Sequence, residues 1–265
     1  MTNDAIDRSR AAEFEDADVV ACYVHRPPYP EALHARLLEL MPQRGRVLDL
    51  GCGPGKLARA LAPRVDQVIA VDPSAAMLDL AQALDAGANR NIAWTHARAE
   101  DLVLAPEIHL AVAGAAIHWM DPAVLFPKLA AALAPGAPVA IVEGDGPSEA
   151  AWLEAYMAVI KAWVARVTGR AWQDASHRAL MSAHDPWLDV QGRETFSATI
   201  RQSVEDLIAC EHSRATWARA RMGASAQAFD ADLRAALSPW ASDGVVEYEV
   251  QTRLVWGWAR PAPSP

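Results

Sequence analysis

The chain is poor in the residues that mark several common protein classes. Its 265 residues include only 3 cysteines, Cys22, Cys52 and Cys210, too few and too widely spaced for a disulfide framework or a zinc knuckle. Its 8 histidines are scattered without the paired spacing of a ligand set, so no metal is expected. No uncharged apolar run is long enough to span a bilayer. The opening Met1-Thr2-Asn3-Asp4-Ala5-Ile6-Asp7 carries acids and no apolar stretch, unlike a signal peptide. Clustered basic residues are missing too. The formal net charge is −9, and no run of lysine and arginine is present to grip a phosphate backbone. These absences lead us to expect a cytoplasmic protein with neither a membrane nor a nucleic-acid partner, and they fix no oligomeric state.

What is present centres on Val47-Leu48-Asp49-Leu50-Gly51-Cys52-Gly53-Pro54-Gly55. An apolar-rich stretch without alternation reads as a parallel strand covered on both faces. It runs into a turn with glycine at every second position, where the backbone takes unusual dihedrals and a ligand approaches the main chain closely. Residues 56–61 then open a helix. A dinucleotide fingerprint requires glycine three positions after its second glycine. Here the spacing is Gly51-x-Gly53-x-Gly55, with Asp49 just ahead of it.

Strand and helix signals alternate around this turn. Helical spacing of Leu33, Leu37 and Leu40 follows Pro27-Pro28-Tyr29-Pro30. Strands are expected at residues 67–71, 91–97, 108–113 and 138–143. Ser74 is placed to cap a helix carrying Met77, Ala81 and Leu84 on one face, and Asp121-Pro122 opens another. This rhythm implies a parallel sheet with right-handed crossovers. It breaks after Gly144-Asp145-Gly146-Pro147. Residues 148 to about 221 read as mostly helical, with one strand-like interruption near 194–200. Alternation returns at 245–250 and 252–258 as a terminal hairpin or strand pair. The expected organisation is therefore N-terminal helices and lid over 1–43, an α/β core over 44–146, a helical insertion over 147–222, and a closing helix and strands over 223–265. Of the ten tryptophans, eight lie beyond residue 150, where they pack the core and lid or wall a pocket.

Two further patterns are informative. Asp72 ends the second strand about 20 residues after the first glycine, where an acid accepts ribose hydroxyls in such folds; the competing reading is a turn residue beside Pro73 and Ser74. Ala113-Gly114-Ala115-Ala116-Ile117-His118-Trp119-Met120-Asp121 closes the fourth strand, and Tyr23-x-x-Arg26-Pro27-x-Tyr29-Pro30 lies near the start.

The glycine stretch resembles motif I of the class I S-adenosylmethionine-dependent methyltransferases. The last two patterns narrow the resemblance to the small-molecule branch, which includes trans-aconitate-methyltransferase-like enzymes. The likeness covers roughly residues 20–145. It implies a Rossmann-like α/β sheet, mostly parallel with an antiparallel last strand, and a helical insertion after the fifth strand. It also implies S-adenosylmethionine as cofactor, S-adenosylhomocysteine as product, and methyl transfer by in-line displacement to an N, O or C atom of a small molecule.

On this resemblance Asp49, Gly51, Cys52, Gly53 and Gly55 hold the amino-acid end of the cofactor, and Asp72 takes the ribose. Ala99 and either Glu100 or Asp101 meet the adenine, and Tyr23, Met77 and, at the fourth strand's exit, Ala113, Gly114 and His118 are further cofactor contacts. Tyr23, Tyr29 and Arg26 belong to a segment that closes over the site. Tyr23 or Tyr29 orients the acceptor atom, and Arg26 either pairs with the cofactor carboxylate or is a surface charge. His118 either accepts a proton, bonds the cofactor or braces the loop. The branch pattern has an aromatic residue before His-Trp; this chain has Ile117. Fold alone does not fix the reaction. A non-methylating ligand-binding module, a lyase or a cyclase is the alternative, and a nicotinamide-dependent oxidoreductase fits the glycine spacing less well.

Overall fold

A computed structural model describes residues 14–172 and 184–262. Five parallel strands form the centre of one sheet: β1 (Arg46–Leu50), β2 (Gln67–Asp72), β3 (Ile92–His96), β4 (Ile108–Gly114) and β5 (Val139–Glu143). They lie in the order β3-β2-β1-β4-β5. The chain crosses over through α3 (Lys56–Leu61), α4 (Ala75–Asp85) and α5 (Pro122–Ala132); α1 (Ala17–Cys22) and α2 (Glu31–Glu39) precede the sheet. Both faces are covered, as unbroken apolar strands require. Val47 packs with Leu33, Leu37, Leu57 and Leu61 on one side, while Leu48 and Leu50 pack with Leu125, Phe126 and Leu129 on the other.

Local helix starts follow the expected chemistry. The Ser74 hydroxyl accepts from the Met77 amide at 3.0 Å, and the Asp121 carboxylate accepts from the Ala123 amide at 3.0 Å ahead of Pro122.

The second half departs from expectation. The segment read as two terminal strands is one, β8 (Val245–Ala259), because its inside–outside alternation continues through Gln251 and Thr252 without a turn. The brief interruption near 194–200 is the middle of β7 (Leu188–Ser203). These long strands pair antiparallel along their whole length, so β7 occupies one edge of β8. β5 and the short β6 (Pro147–Glu149) share the other edge, and the last strand is antiparallel to the parallel set.

Three helices roof the outer ends of β7 and β8: α6 (Leu153–Thr168), α7 (Val204–His212) and α8 (Ala226–Leu237). They bury Trp152, Ile160, Trp163, Leu207, Phe229 and Leu233 in a separate core with Val246, Tyr248 and Val250. A boundary after residue 222 therefore cuts through one packed unit, because α8 shares its apolar face with α6 and α7. Phe229 is fully buried and stacks on Trp217 at 4.8 Å. Phe229→Ala should cost about 3–5 kcal/mol, read as a lowered urea midpoint by tryptophan fluorescence. An unchanged midpoint would show that this roof contributes little to folding.

Candidate functional site

The site grows from the carboxyl ends of β1, β2 and β4, where a ligand lies in open α/β sheets. All three loop glycines have positive φ: +63° at Gly51, +51° at Gly53 and +74° at Gly55. Space as well as angle excludes side chains at two of them. A Cβ on Gly51 would meet the Ala116 methyl at 2.5 Å, and one on Gly55 the Trp94 ring at 2.5 Å. Gly53 faces open space, which leaves the loop backbone accessible.

Both expected acids already work within the protein. Asp49 accepts from the Ala58 amide at 3.0 Å and so pins the first turn of α3. Asp72 accepts from the Gly53 amide at 2.8 Å and the Ser74 amide at 2.9 Å, tying the glycine loop to the end of β2. A carboxylate offers about four lone-pair sites, so both retain capacity for a ligand. Burial pushes the Asp49 pKa to about 7, the Ala58 bond opposing it only in part. Burial also raises Asp72, against the two amide bonds it receives.

Two adjoining cavities open above the loop. The larger, about 440 Å³, is lined by Asp72, Met77, Ala99, Glu100, Trp119 and Met120 among others. The smaller, about 30 Å³, is lined by Tyr23, Arg26, Tyr29, Asp49, Cys52, Lys56 and Asp145 among others. Tyr23, Gly51, Gly53, Gly114 and Ala115 belong to both walls. Of the two adjacent acids, Glu100 is buried and lines the cavity, whereas Asp101 is exposed and lines neither. The 3-10 turn Ala99–Asp101 separates successive side chains by roughly 120°, so only one of the pair turns inward. Glu100 also accepts from the Asp121 amide at 2.9 Å, bracing the turn that precedes α5.

Ala113 is also absent from both walls. Strand alternation sends its methyl into the core beneath, with Gly114 and Ala115 at the surface of the site. A Cβ on Gly114 would lie 2.8 Å from the Tyr29 hydroxyl, so the strand exit holds that phenol at close range. His118 sits half-buried in the turn Ile117–Trp119, its ring 4.9 Å from the Trp119 ring. Trp119 lines the large cavity, but His118 lines neither.

The N-terminal segment crosses both cavities as a strap. The Ser74 hydroxyl donates to the Phe14 carbonyl at 2.8 Å, and the Phe14 ring meets Trp119 edge-on at 5.9 Å. Arg26 stacks on Tyr23 at 4.1 Å and donates to the Ser213 hydroxyl, the Ser213 carbonyl and Asp145 at 2.7, 2.9 and 3.1 Å. Three of its five N–H groups are thus spent on the protein. It is therefore no free surface charge, and it lines the small cavity with two N–H groups left. Asp145 lies between Arg26 and Arg214, and these cations hold its carboxyl well below the usual range despite burial. Burial raises the Tyr23 and Tyr29 phenols, which stay protonated at neutral pH.

Sequence reasoning missed four residues here. Lys56 read as a helix opening that departs from the dinucleotide glycine pattern, and Asp145 as part of a break. Arg214 lies 69 positions beyond its partner. Ala115, at φ +51°, carries a left-handed backbone that nothing in an alanine announces.

A methyltransferase-domain family profile matches residues 47–136. The chain is 34% identical over 128 residues to an uncharacterized methyltransferase of Mycobacterium tuberculosis, covering 48% of this chain and 51% of the relative. It is 37% identical over 116 residues to a trans-aconitate 2-methyltransferase of Variovorax paradoxus, covering 41% and 42%. It is 39% identical over 105 residues to a tRNA 5-carboxymethoxyuridine methyltransferase of Escherichia coli, covering 38% and 40%. The chain thus spans about half the length, or less, of these curated relatives. Its fold is similar to a solved chain from Anaeromyxobacter dehalogenans named as a candidate type II methyltransferase, with TM-score 0.66 and 25% identity, covering 90% of this chain and 99% of that one.

S-adenosylmethionine fits the residues present. An acid stands at or next to the end of each of the first two strands, and Gly53 leaves the loop after the first open to close approach. Asp72→Ala should destabilise the fold, because the Gly53 and Ser74 amides both lose their acceptor. About 1–3 kcal/mol per stranded donor is expected, measured by thermal melting without ligand. Unchanged stability would mean that Asp72 is not what holds the loop.

Proposed function

We propose that this protein, which carries a class I S-adenosylmethionine-dependent methyltransferase domain, transfers the cofactor's methyl group to a small molecule. The observation that carries the reading is the covered cavity over the glycine loop, walled by Asp72 and Glu100 and strapped by residues 14–30. The chain's charge of −9 and the trans-aconitate relative support a small acceptor. The tRNA relative supports an RNA acceptor as the second reading, since it matches the same domain.

When bound, the cofactor supplies a methyl group on a sulfonium that is already an activated leaving group. The protein's tasks are then to align, enclose and exclude water. Asp72 holds the ribose and Glu100 with the Ala99 backbone faces the adenine. Asp49 meets the amino-acid ammonium, with Gly51 and Gly53 close beneath. The uncharged phenols of Tyr23 and Tyr29 flank the junction of the two cavities and orient the acceptor atom. His118 stands behind Trp119 and braces the turn. We assign catalysis to alignment, with no proton transfer through His118.

Two measurements test this reading. Purified protein given methyl-labelled cofactor with a metabolite extract, and separately with total tRNA, should label a small molecule and leave the RNA unlabelled. Label in tRNA alone would reverse the acceptor class, and no label in either with cofactor bound would favour a non-methylating protein. Once the acceptor is known, His118→Ala should lose less than the roughly 10²-fold that removing a general base costs, in single-turnover rate. A larger loss with cofactor affinity intact would make it the base.

A pH dependence follows from Asp49. In the free protein its carboxyl is half-protonated near pH 7, and an ammonium ligand requires the charged form. S-adenosylhomocysteine binding should therefore release protons at pH 6 and weaken as pH falls below about 7. Calorimetry in buffers of different ionisation enthalpy reads both effects. Affinity flat from pH 5.5 to 8 would remove Asp49 from ligand contact.

A further inference from the structure

We propose that Lys56 is the cation that receives the carboxylate of the cofactor's amino-acid end, and that the same ammonium couples filling of that end to closure of the strap. The inference rests on the cofactor reading above and names a residue for it.

Lys56 begins α3 immediately after Gly55 and reaches up the wall of the small cavity. Its ammonium donates to the Arg26 carbonyl at 2.8 Å and the Pro27 carbonyl at 2.7 Å. An ammonium has three hydrogens, so one remains. Three cations, Arg26, Arg214 and Lys56, gather around this cavity and its roof. Asp145 gives one oxygen to each arginine, and Glu211 bonds Arg214. Among the described residues Lys56 has no carboxylate within 4.0 Å. Two carbonyl dipoles and the more distant charge of Asp145 offset its charge only in part, and burial lowers its pKa to about 8. An arriving carboxylate would supply the missing counter-charge.

Arg26 suits that task less well. Its side chain is 9% exposed and commits three of five donors to Ser213 and Asp145; two remain, but Asp145 in direct contact already supplies its counter-charge. Position favours Lys56 as well. A ligand with its base against Glu100 and its ribose on Asp72 extends along Gly51 and Gly53, which line both cavities, toward the small one. Its ammonium and carboxylate would then face Asp49 and Lys56, an anion and a cation on one wall. Because Lys56 also holds two consecutive strap carbonyls, a ligand that neutralises the lysine stabilises the closed strap.

The test compares two ligands that share a nucleoside and a thioether. S-adenosylhomocysteine carries the amino-acid end, and 5′-methylthioadenosine lacks it. By calorimetry on the full chain, Lys56→Met should weaken S-adenosylhomocysteine by more than about tenfold, as losing one charge-assisted bond implies. It should leave methylthioadenosine within about twofold, since that ligand makes no such bond. Lys56→Arg should recover part of the loss and guards against a folding defect in the methionine variant. Equal weakening of both ligands would show that Lys56 only braces the strap, and no weakening would remove it from the site; either overturns the proposal. Wild-type protein that binds neither ligand would instead overturn the cofactor reading on which the proposal depends.

Discussion

The 2.8 Å hydrogen bond from the Gly53 amide to Asp72 joins the ends of two parallel strands across the point where the site opens. Parallel strands are paired through their backbones, but their carboxyl ends leave loops without partners. Here the β1 loop takes three left-handed glycine conformations in five residues, an arrangement that a free loop would rarely hold. The Asp72 carboxylate fixes it from the neighbouring strand, and Asp49 fixes its far side through the Ala58 amide. The acids proposed to read a ligand are thus the acids that build its cradle. This preorganisation keeps the loop's reorganisation small when a ligand arrives. It also means that removing either acid removes geometry together with charge.

A second constraint acts from above. The strap is not a loose arm, because its arginine is bonded to Ser213 at the end of α7 and to Asp145 after β5. Further along, His25 contacts Asp206 at 3.0 Å and its carbonyl accepts from Gln202 at 2.7 Å. Strap and helical roof are therefore bonded into one cover, carried on β7 and β8, which are rooted in the sheet through β5. Buried charges tolerate this only when paired. Asp145 does most of the pairing, which explains why its carboxyl stays ionised despite partial burial.

How far the sequence discloses this arrangement depends on whether the cause is local. The glycine turn, the buried strands and the Ser74 cap are legible because each follows from neighbouring residues and backbone geometry alone. The pairing of β7 with β8 is not: Leu188 meets Ala259, and no short window contains both. Regular alternation announces a strand but leaves its partner unstated. The choice between Glu100 and Asp101 turns on the rotation of one helical turn, which two adjacent acids do not encode. Arg26 illustrates a third case. Its type and place imply an anion, correctly, but the anion is Asp145, made available by a turn 119 residues away. Lys56 escapes notice because lysine at the start of a helix has an ordinary meaning.

Asp49 shows how stability and function oppose each other in this site. Its pKa lies near 7 in the folded protein against an ordinary value of 3.8. An acid raised in this way favours folding when protonated, fully below about pH 4, and that contribution is lost as pH rises through about 7. At neutral pH the folded chain therefore bears part of the cost of enclosing a carboxylate without a cation. Ordinary core selection would replace it with an apolar or amide side chain. Retaining an acid makes physical sense if a cationic group arrives to meet it, since the ligand then repays a penalty already built into the free protein. Lys56, held by carbonyls with no carboxylate in contact among the described residues, is the same arrangement with the sign reversed. An anion-seeking and a cation-seeking group on one cavity wall match a zwitterion, which is the form of an amino-acid terminus at neutral pH.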